Sequence, residues 1–329
     1  MTLESSDQIA FVGLGNMGLP MAVNLVKQGY KVKAFDLKEE SKRQFLLESQ
    51  NVFGGSKEEA VAAARVGEDV KDCCQGSRYL ILMVVNDLQA RSILFSNSSE
   101  VLKALEPRSK VILMATCKPD AVVELAKDVA KVRDDLELID APVSGGVSGA
   151  KSGGLTIMVA CRSEVLQASK KVLDCLGTKI YHVGEEVGKG QSMKAVNQVL
   201  CGIHVAAAAE ALSLSTKAGI DPSLALEIVS GSAASSWMLK DRGPRMLQSS
   251  PEVRSMIDIF VKDLDIVAQA GKAHGAALPL SVAAHQMFVA AKARGQGSQD
   301  DSSVIKSYWA LNGTDEKDVF QAQAQTNQN

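Results

Sequence analysis

Six consecutive residues near the start of the chain have the composition of a dinucleotide-binding loop. They follow an apolar run at residues 9–12, open a helical pattern and fit G-x-G-x-x-G: Gly13, Leu14, Gly15, Asn16, Met17 and Gly18. The first glycine of this pattern allows a tight turn, the second lets a pyrophosphate approach the backbone, and the third lets helix and strand pack closely. Free N–H groups at the start of the helix favour a bound phosphate. The spacing and its context therefore predict a dinucleotide site.

An acidic residue follows the second apolar run, at residues 31–35. Asp36 comes eighteen residues after Gly18, close to the ~20-residue spacing expected of an acid that binds the ribose 2′-hydroxyl of NAD. A carboxylate there would repel the 2′-phosphate of NADP, and no basic residue follows the strand directly. Capping of the next helix is an alternative role for Asp36 that is compatible with binding. The pattern favours NAD over NADP.

A second glycine-rich loop follows a later apolar run. It begins at Asp140 and continues to Ser144, Gly145 and Gly146. One hydroxyl beside unhindered N–H groups can bind a carboxylate or an oxyanion. Turn glycines alone would give the same composition, so both interpretations stay open.

Polar residues recur at helical spacing in an Ala-rich segment at residues 188–219. Lys194, Asn197, Gln198 and Cys201 fall at i, i+3, i+4 and i+7, which places them on one face of a helix. A partly buried lysine near other cations can have its pKa lowered towards neutrality and act as a general acid or base. An ordinary surface lysine fits the pattern equally well. Lys262, in a later helical pattern, fits a helix face of mixed charge.

The elements around these residues indicate the fold class. The first half alternates amphipathic segments with predicted strands at residues 9–12, 31–35, 79–85, 110–114, 136–139 and 155–160. Near-continuous apolar strands between helices predict a parallel sheet covered on both faces. Later helical patterns occupy residues 188–219, 223–230, 256–274 and 280–294.

The chain is therefore predicted to have an α/β fold, in which an N-terminal Rossmann-type, doubly wound sheet precedes an all-α C-terminal domain. The predicted domains are residues 1–183 and 184–313, followed by a flexible polar tail at 314–329. Residues 51–76 are weakly patterned and give no firm element boundaries. Apolar residues cover more of the 188–219 helix than one core-facing stripe requires, which predicts a homo-oligomer.

Composition excludes several classes of protein. The 329 residues are 46% hydrophobic and 22% charged with a net charge of -2, which is typical of a globular protein without a nucleic-acid partner. The six cysteines and four histidines lack zinc-site spacing. No uninterrupted apolar run is long enough for a membrane span. The first seven residues carry two acids and no base, unlike a targeting leader. These features predict a cytoplasmic protein without a metal site.

Taken together, the motifs resemble the β-hydroxyacid dehydrogenase family. The resemblance rests on residues 11–25, residues 140–146, the spacing Gly188-x-Gly190-x-x-x-Lys194-x-x-Asn197, and Lys262 followed by Asp-Leu, all in the family's order. It implies a Rossmann domain and a helical domain with the active site between them. It also implies NAD as cofactor, a small hydroxy acid as substrate, and a homodimer or homotetramer.

The resemblance further implies roles for individual residues. Lys194 matches the family's catalytic lysine, with Asn197 and Gln198 beside it. Ser144, Gly145 and Gly146 match the loop that binds the substrate carboxylate. The cofactor would be bound by residues 13–18 together with Asp36, Leu37, Val85, Asn86, Thr116 and Lys262.

Two departures distinguish the chain within the family. The family's Asn-Asn pair is Asn197-Gln198 here, and its Ser-Thr pair is Ala115-Thr116. The longer amide at position 198 is expected to reshape the substrate pocket. Segments at residues 197–204, 236–238, 258–264 and 300–305 resemble the L-threonate dehydrogenase branch, which implies oxidation of a four-carbon sugar acid in carbohydrate acid metabolism. The alternatives are a reductase of tartronate or succinate semialdehyde, a 3-hydroxyisobutyrate dehydrogenase, and a non-catalytic dinucleotide-binding module.

Overall fold

The structure is a computed structural model that describes residues 8–316 and 319–320. The described residues form two compact units, an N-terminal unit up to Lys194 and a C-terminal unit from Ala195. This division lies further along the chain than the predicted boundary at residues 183/184, because the first turns of the long helix are bonded to strand ends of the N-terminal unit. Residues 1–7, to which the leader prediction applies, lie outside the described residues.

The N-terminal unit alternates strands and helices. Its elements in chain order are β1 Gln8–Val12, α1 Gly18–Lys27, β2 Lys31–Phe35, α2 Glu39–Val52, α3 Lys57–Ala63, β3 Ala64–Val66, α4 Val70–Cys74, β4 Tyr79–Leu82, α5 Asp87–Phe95, α6 Glu100–Ala104, β5 Lys110–Leu113, α7 Pro119–Val132, β6 Glu137–Asp140, β7 Val143–Ser144, α8 Gly146–Ser152, β8 Thr156–Ala160, α9 Ser163–Asp174 and β9 Lys179–Gly184. The predicted strands are all present, and α3, β3 and α4 occupy much of the segment for which no boundaries were predicted.

These strands form one sheet in the order β3-β2-β1-β4-β5-β6-β8-β7, with β9 paired to β8. Strands β1 to β6 run parallel, as predicted for a doubly wound sheet. Strand β8 instead runs antiparallel to β6 and β7, so the sheet is mixed rather than wholly parallel. The seven-residue helix α8 is too short for the crossover that a parallel connection requires, which explains the reversal.

The central strands are apolar on both faces because helices cover both. Phe11 and Ile81 lie in one core with side chains of α1, α2 and α9. Leu80 and Leu82, which point the other way, lie in a second core with side chains of α4 to α7. This double burial is why these strands are near-continuous apolar runs.

The C-terminal unit is almost entirely helical, as predicted. Helix α10, Lys189–Lys217, begins in the N-terminal unit, and α11 Pro222–Gly231, α12 Trp237–Met246, α13 Ile257–His274, α14 Pro279–Ala291 and α15 Ile305–Leu311 follow. Their core includes Val319, and Phe320 packs edge-on against Trp309 at 5.6 Å between ring centroids. Residues 319–320 are therefore packed rather than part of a flexible tail, because both are apolar. Residues 317–318 and 321–329 of the predicted tail lie outside the described residues.

A buried ion network ties α12 to the 3₁₀ turn Asp301–Val304 within the C-terminal unit. Arg242 donates two hydrogen bonds to Asp301, at 3.2 and 2.9 Å. Arg245 donates to Asp300 at 3.0 Å, and both carboxylates are almost fully buried. Removing one partner of such a pair leaves a buried charge without compensation.

Helix α10 is also long and apolar enough to cross a membrane by length and composition alone. Its most apolar window of 18 residues has a mean hydropathy of 1.5, and 44% of that window is buried. A core helix of a globular protein passes the same test. Val205, Ala209 and Leu212 of α10 lie in the core of the C-terminal unit.

Candidate active site

The glycine-rich loop lies between β1 and α1, as its sequence predicts. A Cβ atom at Gly18 would lie 1.8 Å from the carbonyl oxygen of Gly13, so only glycine allows this close approach. At Gly15, by contrast, a Cβ would meet nothing within 4 Å, and the backbone is open on that side. Helix α1 has no side-chain cap and no acidic residue in its first turn. The loop therefore offers an uncapped helix N-terminus beside an open backbone, which fits a pyrophosphate.

Asp36 lies directly after β2 and is bonded to the same loop. Its Oδ2 accepts a hydrogen bond from the Leu14 N–H at 2.7 Å, and its Oδ1 accepts one from the Lys38 N–H at 2.8 Å. A carboxylate has about four acceptor positions, so each oxygen retains capacity for a ribose hydroxyl. Leu37 next to it is 90% exposed. Asp36 is not the N-cap of α2, because that position is Lys38 and the helix has no side-chain cap. Its bonds to the Leu14 and Lys38 N–H groups are compatible with cofactor binding.

The other predicted cofactor residues follow neighbouring strands. Val85 and Asn86 come after β4, where the Asn86 Oδ1 accepts the Gln89 N–H at 2.9 Å and begins α5. Thr116 comes after β5. Because β1, β2, β4 and β5 are parallel, all these residues lie at the carboxyl edge of the sheet, where strand order reverses at β1 and β4. Open α/β sheets bind ligands at such a switch point.

The predicted carboxylate-binding loop follows β6 at the same edge. Ser144 belongs to β7, which pairs with β8, and Gly145 and Gly146 follow with φ angles of +133° and +60°. These positive angles are the conformations that glycine adopts at no steric cost. The loop is therefore held by strand pairing on one side and turns sharply on the other.

The start of α10 is bonded to the ends of β5 and β6. Asp140, fully buried, accepts the N–H groups of Gly188 and Gln191 on Oδ2, at 2.8 and 3.2 Å. The Gln191 side chain donates to Asp140 Oδ1 at 2.9 Å and to the Ala115 carbonyl at 3.1 Å, and it accepts the Cys117 N–H at 2.9 Å. Burial raises the pKa of Asp140 to about 6, and these donors oppose the shift. Lys194, one turn further along α10, is only 7% exposed.

The predicted residues of the C-terminal unit form a second polar cluster. Asn197 donates to Gln198 Oε1 at 2.9 Å and to Cys201 Sγ at 3.2 Å. Gln198 donates to the buried Asp263 at 2.6 Å, and Lys262 forms an ion pair with the same carboxylate at 2.7 Å. The amide nitrogen of Gln198 is therefore bonded to Asp263, a contact that its sequence position alone does not indicate.

Each unit thus brings part of the predicted site together. Residues 13–18, Asp36, Leu37, Val85, Asn86, Thr116 and residues 144–146 share one edge of the N-terminal unit, whereas Asn197, Gln198 and Lys262 belong to the C-terminal unit. Three polar residues at these clusters are not predicted as site residues by the sequence motifs: Asp140, Gln191 and Asp263. The sequence carries a signal for Gln191, because Gln191, Lys194 and Gln198 fall at i, i+3 and i+7 in an Ala-rich helical segment. In the structure all three are buried.

Cysteine and metal chemistry are not indicated by the part of the chain that is described. Burial raises the pKa of Cys73 and of Cys161 to about 12, so both thiols are protonated at neutral pH. All six cysteines, each within the described residues, are free of disulfides. No group of three or more metal-ligating side chains occurs among residues 8–316 and 319–320.

A doubly wound sheet with a G-x-G-x-x-G loop, an acid after β2 and a buried lysine beyond β9 defines the class as a nicotinamide-dependent dehydrogenase. A family model described as the NAD binding domain of 6-phosphogluconate dehydrogenase matches residues 8–184. A second, described as NAD-binding of NADP-dependent 3-hydroxyisobutyrate dehydrogenase, matches residues 188–308.

Individual relatives extend over nearly the whole chain. L-threonate dehydrogenase of Cupriavidus necator is 37% identical over 305 residues, 92% of this chain and 96% of that protein. L-threonate dehydrogenase of Escherichia coli K12 is 33% identical over 308 residues, 94% and 97% of the two chains. A crystal structure of 3-hydroxyisobutyrate dehydrogenase from Salmonella typhimurium matches with a TM-score of 0.82 and 32% identity, covering 91% of this chain and 99% of that one.

The chain belongs to the β-hydroxyacid dehydrogenase family. It is an NAD-dependent enzyme that oxidises a hydroxy acid. The resemblance seen in the sequence, the fold class, the enzyme class and the cofactor are confirmed.

Proposed function

We propose that the protein oxidises L-threonate, or a closely similar small aldonate, with NAD. The proposal is supported mainly by the similarity to L-threonate dehydrogenases over more than nine tenths of the chain. The pattern of residues 197–204 and 258–264 supports the same branch. The dehydrogenase names of these relatives favour an enzyme over a non-catalytic module.

The N-terminal unit would bind the cofactor at the carboxyl edge of its sheet, where Asp36 is bonded to the glycine-rich loop. Residues 13–18 would hold the pyrophosphate, while Asp36 would accept a ribose hydroxyl and Leu37 would lie against the adenosine end. Val85, Asn86 and Thr116 would line the remaining length, and the family resemblance assigns Lys262 to the cofactor as well. NAD, when bound, supplies the acceptor for the hydride.

The substrate would be bound through its carboxylate and deprotonated by a lysine. Ser144 and the N–H groups of Gly145 and Gly146 would donate to the carboxylate, which orients the hydroxyl group. Lys194 would take the hydroxyl proton on Nζ, and Asn197 and Gln198 would hold the lysine and the substrate oxygen in place. In the reverse direction the same Nζ returns the proton. Burial of Lys194 supports this role, because active sites keep bulk water away from the groups that exchange a proton with the substrate.

Lys194→Ala tests the assignment directly. A positioned acid–base group typically contributes about 10²–10⁴ in rate, so kcat should fall by that factor while the Kd for NAD stays within about threefold. The assay follows NADH absorbance on L-threonate. Turnover close to that of the unmodified protein would show that Lys194 is not the acid–base group.

The second candidate is a 3-hydroxyisobutyrate dehydrogenase or a reductase of a semialdehyde such as tartronate or succinate semialdehyde. The solved structure from Salmonella typhimurium carries the first of these names. The same residues serve both directions, so the choice rests on substrates. A panel of small hydroxy acids and semialdehydes separates the candidates. The highest kcat/KM on L-threonate supports the proposal, whereas activity confined to 3-hydroxyisobutyrate or a semialdehyde replaces it.

We also propose a homodimer or homotetramer. Helix α11 has no buried residue, and its apolar Leu224 and Ile228 are at least half exposed. In α10, Leu200 and Leu214 are also more than half exposed. A second copy of the chain would remove this apolar surface from water. Light scattering should give two or four times 34.9 kDa. A mass equal to one chain would refute the proposal.

We further propose that the enzyme acts in the cytoplasm. The six free cysteines support this location, because thiols persist in a reducing compartment. Fractionation of cells with detection of the untagged protein tests it, and recovery in a membrane or secreted fraction would contradict it.

A further inference from the structure

A buried carboxylate caps the helix that carries Lys194. The Gly188 and Gln191 N–H groups at the start of α10 would otherwise lack intrahelical acceptors. Asp140, at the end of β6, accepts both of them. The cap is therefore supplied by another element, and it fixes the start of the helix against the end of a strand.

Gln191 completes the attachment with every polar atom of its side chain. Its two N–H groups are donated to Asp140 and to the Ala115 carbonyl, and its oxygen accepts the Cys117 N–H. Reversing the amide would place its oxygen against two acceptors, so the chemistry determines the orientation. The residue joins α10 to the backbone on both sides of Thr116.

The helix can approach this closely because residue 190 is glycine. A Cβ at Gly190 would lie 2.8 Å from the Asp140 Cγ, from the Asp140 carbonyl oxygen and from the Met158 carbonyl oxygen. Any side chain there would push the helix away from the strand ends. The start of α10 is therefore held in place by three different features. They are the carboxylate cap of Asp140, the fully bonded amide of Gln191 and the absence of a Cβ at Gly190.

We propose that Asp140 and Gln191 are positioning residues that hold the first turns of α10 so that Lys194 lies where it can exchange a proton with the substrate. The inference rests on the proposed role of Lys194. Strands β5 and β6 are central in the sheet and paired on both sides, so loss of the attachment displaces the helix rather than the strands. Lys194, one turn from Gln191, moves with the helix, whereas residues 13–18 do not.

Two substitutions weaken the attachment in different ways. Asp140→Asn keeps one acceptor oxygen but replaces the other with an NH2 group, so the three donors can no longer all be satisfied. Gln191→Met keeps the volume but removes all three side-chain hydrogen bonds. A displacement of about 1 Å at a reacting group can cost about 10² in rate. Each variant should therefore lower kcat at least tenfold with the Kd for NAD within threefold. Ser192→Ala is the matched control, because the hydrogen bond that its hydroxyl donates goes to the Gly188 carbonyl within the same turn and not to a strand.

The decisive comparison repeats both substitutions in Lys194→Ala. A residue that acts through Lys194 has nothing to position once the lysine is gone, so the double variants should turn over L-threonate within twofold of Lys194→Ala alone. A residue with a purely structural role lowers kcat by the same factor in both backgrounds, and that result overturns the inference. If Asp140→Asn does not fold, Gln191→Met carries the test, with the shorter amide of Gln191→Asn as a milder second variant.

The outcomes also separate this inference from the proposed function. Full turnover of Lys194→Ala refutes the role of the lysine and with it the inference. If Lys194→Ala is inactive but Gln191→Met keeps a kcat within threefold of the unmodified protein, the inference is refuted while the role of Lys194 stands. A tenfold or larger loss that disappears in the Lys194→Ala background supports both.

Discussion

Replacement of Asp140 by Asn should change how the stability of the N-terminal unit depends on pH. Burial raises the pKa of this carboxyl from its ordinary value of 3.8 to about 6. At a pH between these two pKa values, Asp140 keeps its proton in the folded protein and releases it in the unfolded chain. The group therefore contributes stability at low pH that is lost as pH rises through about 6.

The size of the effect follows from the shift. Each pKa unit corresponds to about 1.4 kcal/mol, so ionised Asp140 costs about 3 kcal/mol at neutral pH, of which roughly 2–3 kcal/mol develops between about pH 4 and pH 7. The Asp140→Asn variant has no group here that ionises, so its stability does not fall in this way as pH rises. The difference in free energy of unfolding, variant minus unmodified protein, should therefore rise by that amount over the same range, whatever constant offset the altered hydrogen bonds introduce.

Amide hydrogen exchange in peptides covering β5, which pairs with β6, is a suitable assay, because these peptides report on this unit and have the same sequence and intrinsic exchange rates in all variants at each pH. Tyr79→Phe is the control. It removes a hydrogen bond to the Ala168 carbonyl in the same unit, 3.1 Å long, and no group that titrates in this range. Its offset should be independent of pH. If the difference in free energy of unfolding between Asp140→Asn and the unmodified protein is also independent of pH, or falls as pH rises, the reasoning is refuted.

Three further substitutions test other parts of the structure. Asp36→Ser should lower the NAD-to-NADP ratio in kcat/KM at least tenfold, because a like-charge contact with a 2′-phosphate is removed; an unchanged ratio contradicts the role of Asp36. Gly18→Ala places a Cβ 1.8 Å from the Gly13 carbonyl oxygen, so calorimetry should show at least tenfold weaker NAD binding rather than normal affinity. Asp301→Ala removes two hydrogen bonds that Arg242 donates and leaves Asp241 as the remaining acidic partner of this arginine, so it should cost about 2–3 kcal/mol in denaturant unfolding followed by tryptophan fluorescence; a cost below about 0.5 kcal/mol would contradict the ion-pair argument.

The sequence predicted those strands and helices whose burial leaves a clear pattern of apolar residues. Strands such as β1 and β4 are buried on both faces, so their apolar runs are continuous and easily recognised. Strand β7 has two residues and β9 is largely exposed, so neither gives such a run. Helix α12 was not predicted because it contains Pro244 and because its buried face includes Arg242 and Arg245. The carboxylates of Asp301 and Asp300, which accept hydrogen bonds from these two arginines, lie 59 and 55 residues away along the chain.

The candidate site also contains some residues that could be predicted from the sequence and others that could not. The loop at residues 13–18 and Asp36 were predictable, because phosphate binding depends on local glycine spacing next to a strand. The partners of Gln191 were not, since Cys117 and Ala115 are 74 and 76 residues away along the chain. A buried amide in an apolar helix indicates that a partner exists, but only the sheet topology determines which one.

The distance along the chain between Asp140 and Gly188, 48 residues, has a consequence for folding order. Closing this contact encloses α8, β8, α9 and β9, so it carries the entropic cost of a long loop until those elements are in place. The glycine-rich loop, in contrast, closes within a few residues of β1. The bond from the Leu14 N–H to Asp36 spans only 22 residues. The attachment that positions Lys194 therefore carries a larger loop-closure cost than the contact between the glycine-rich loop and Asp36.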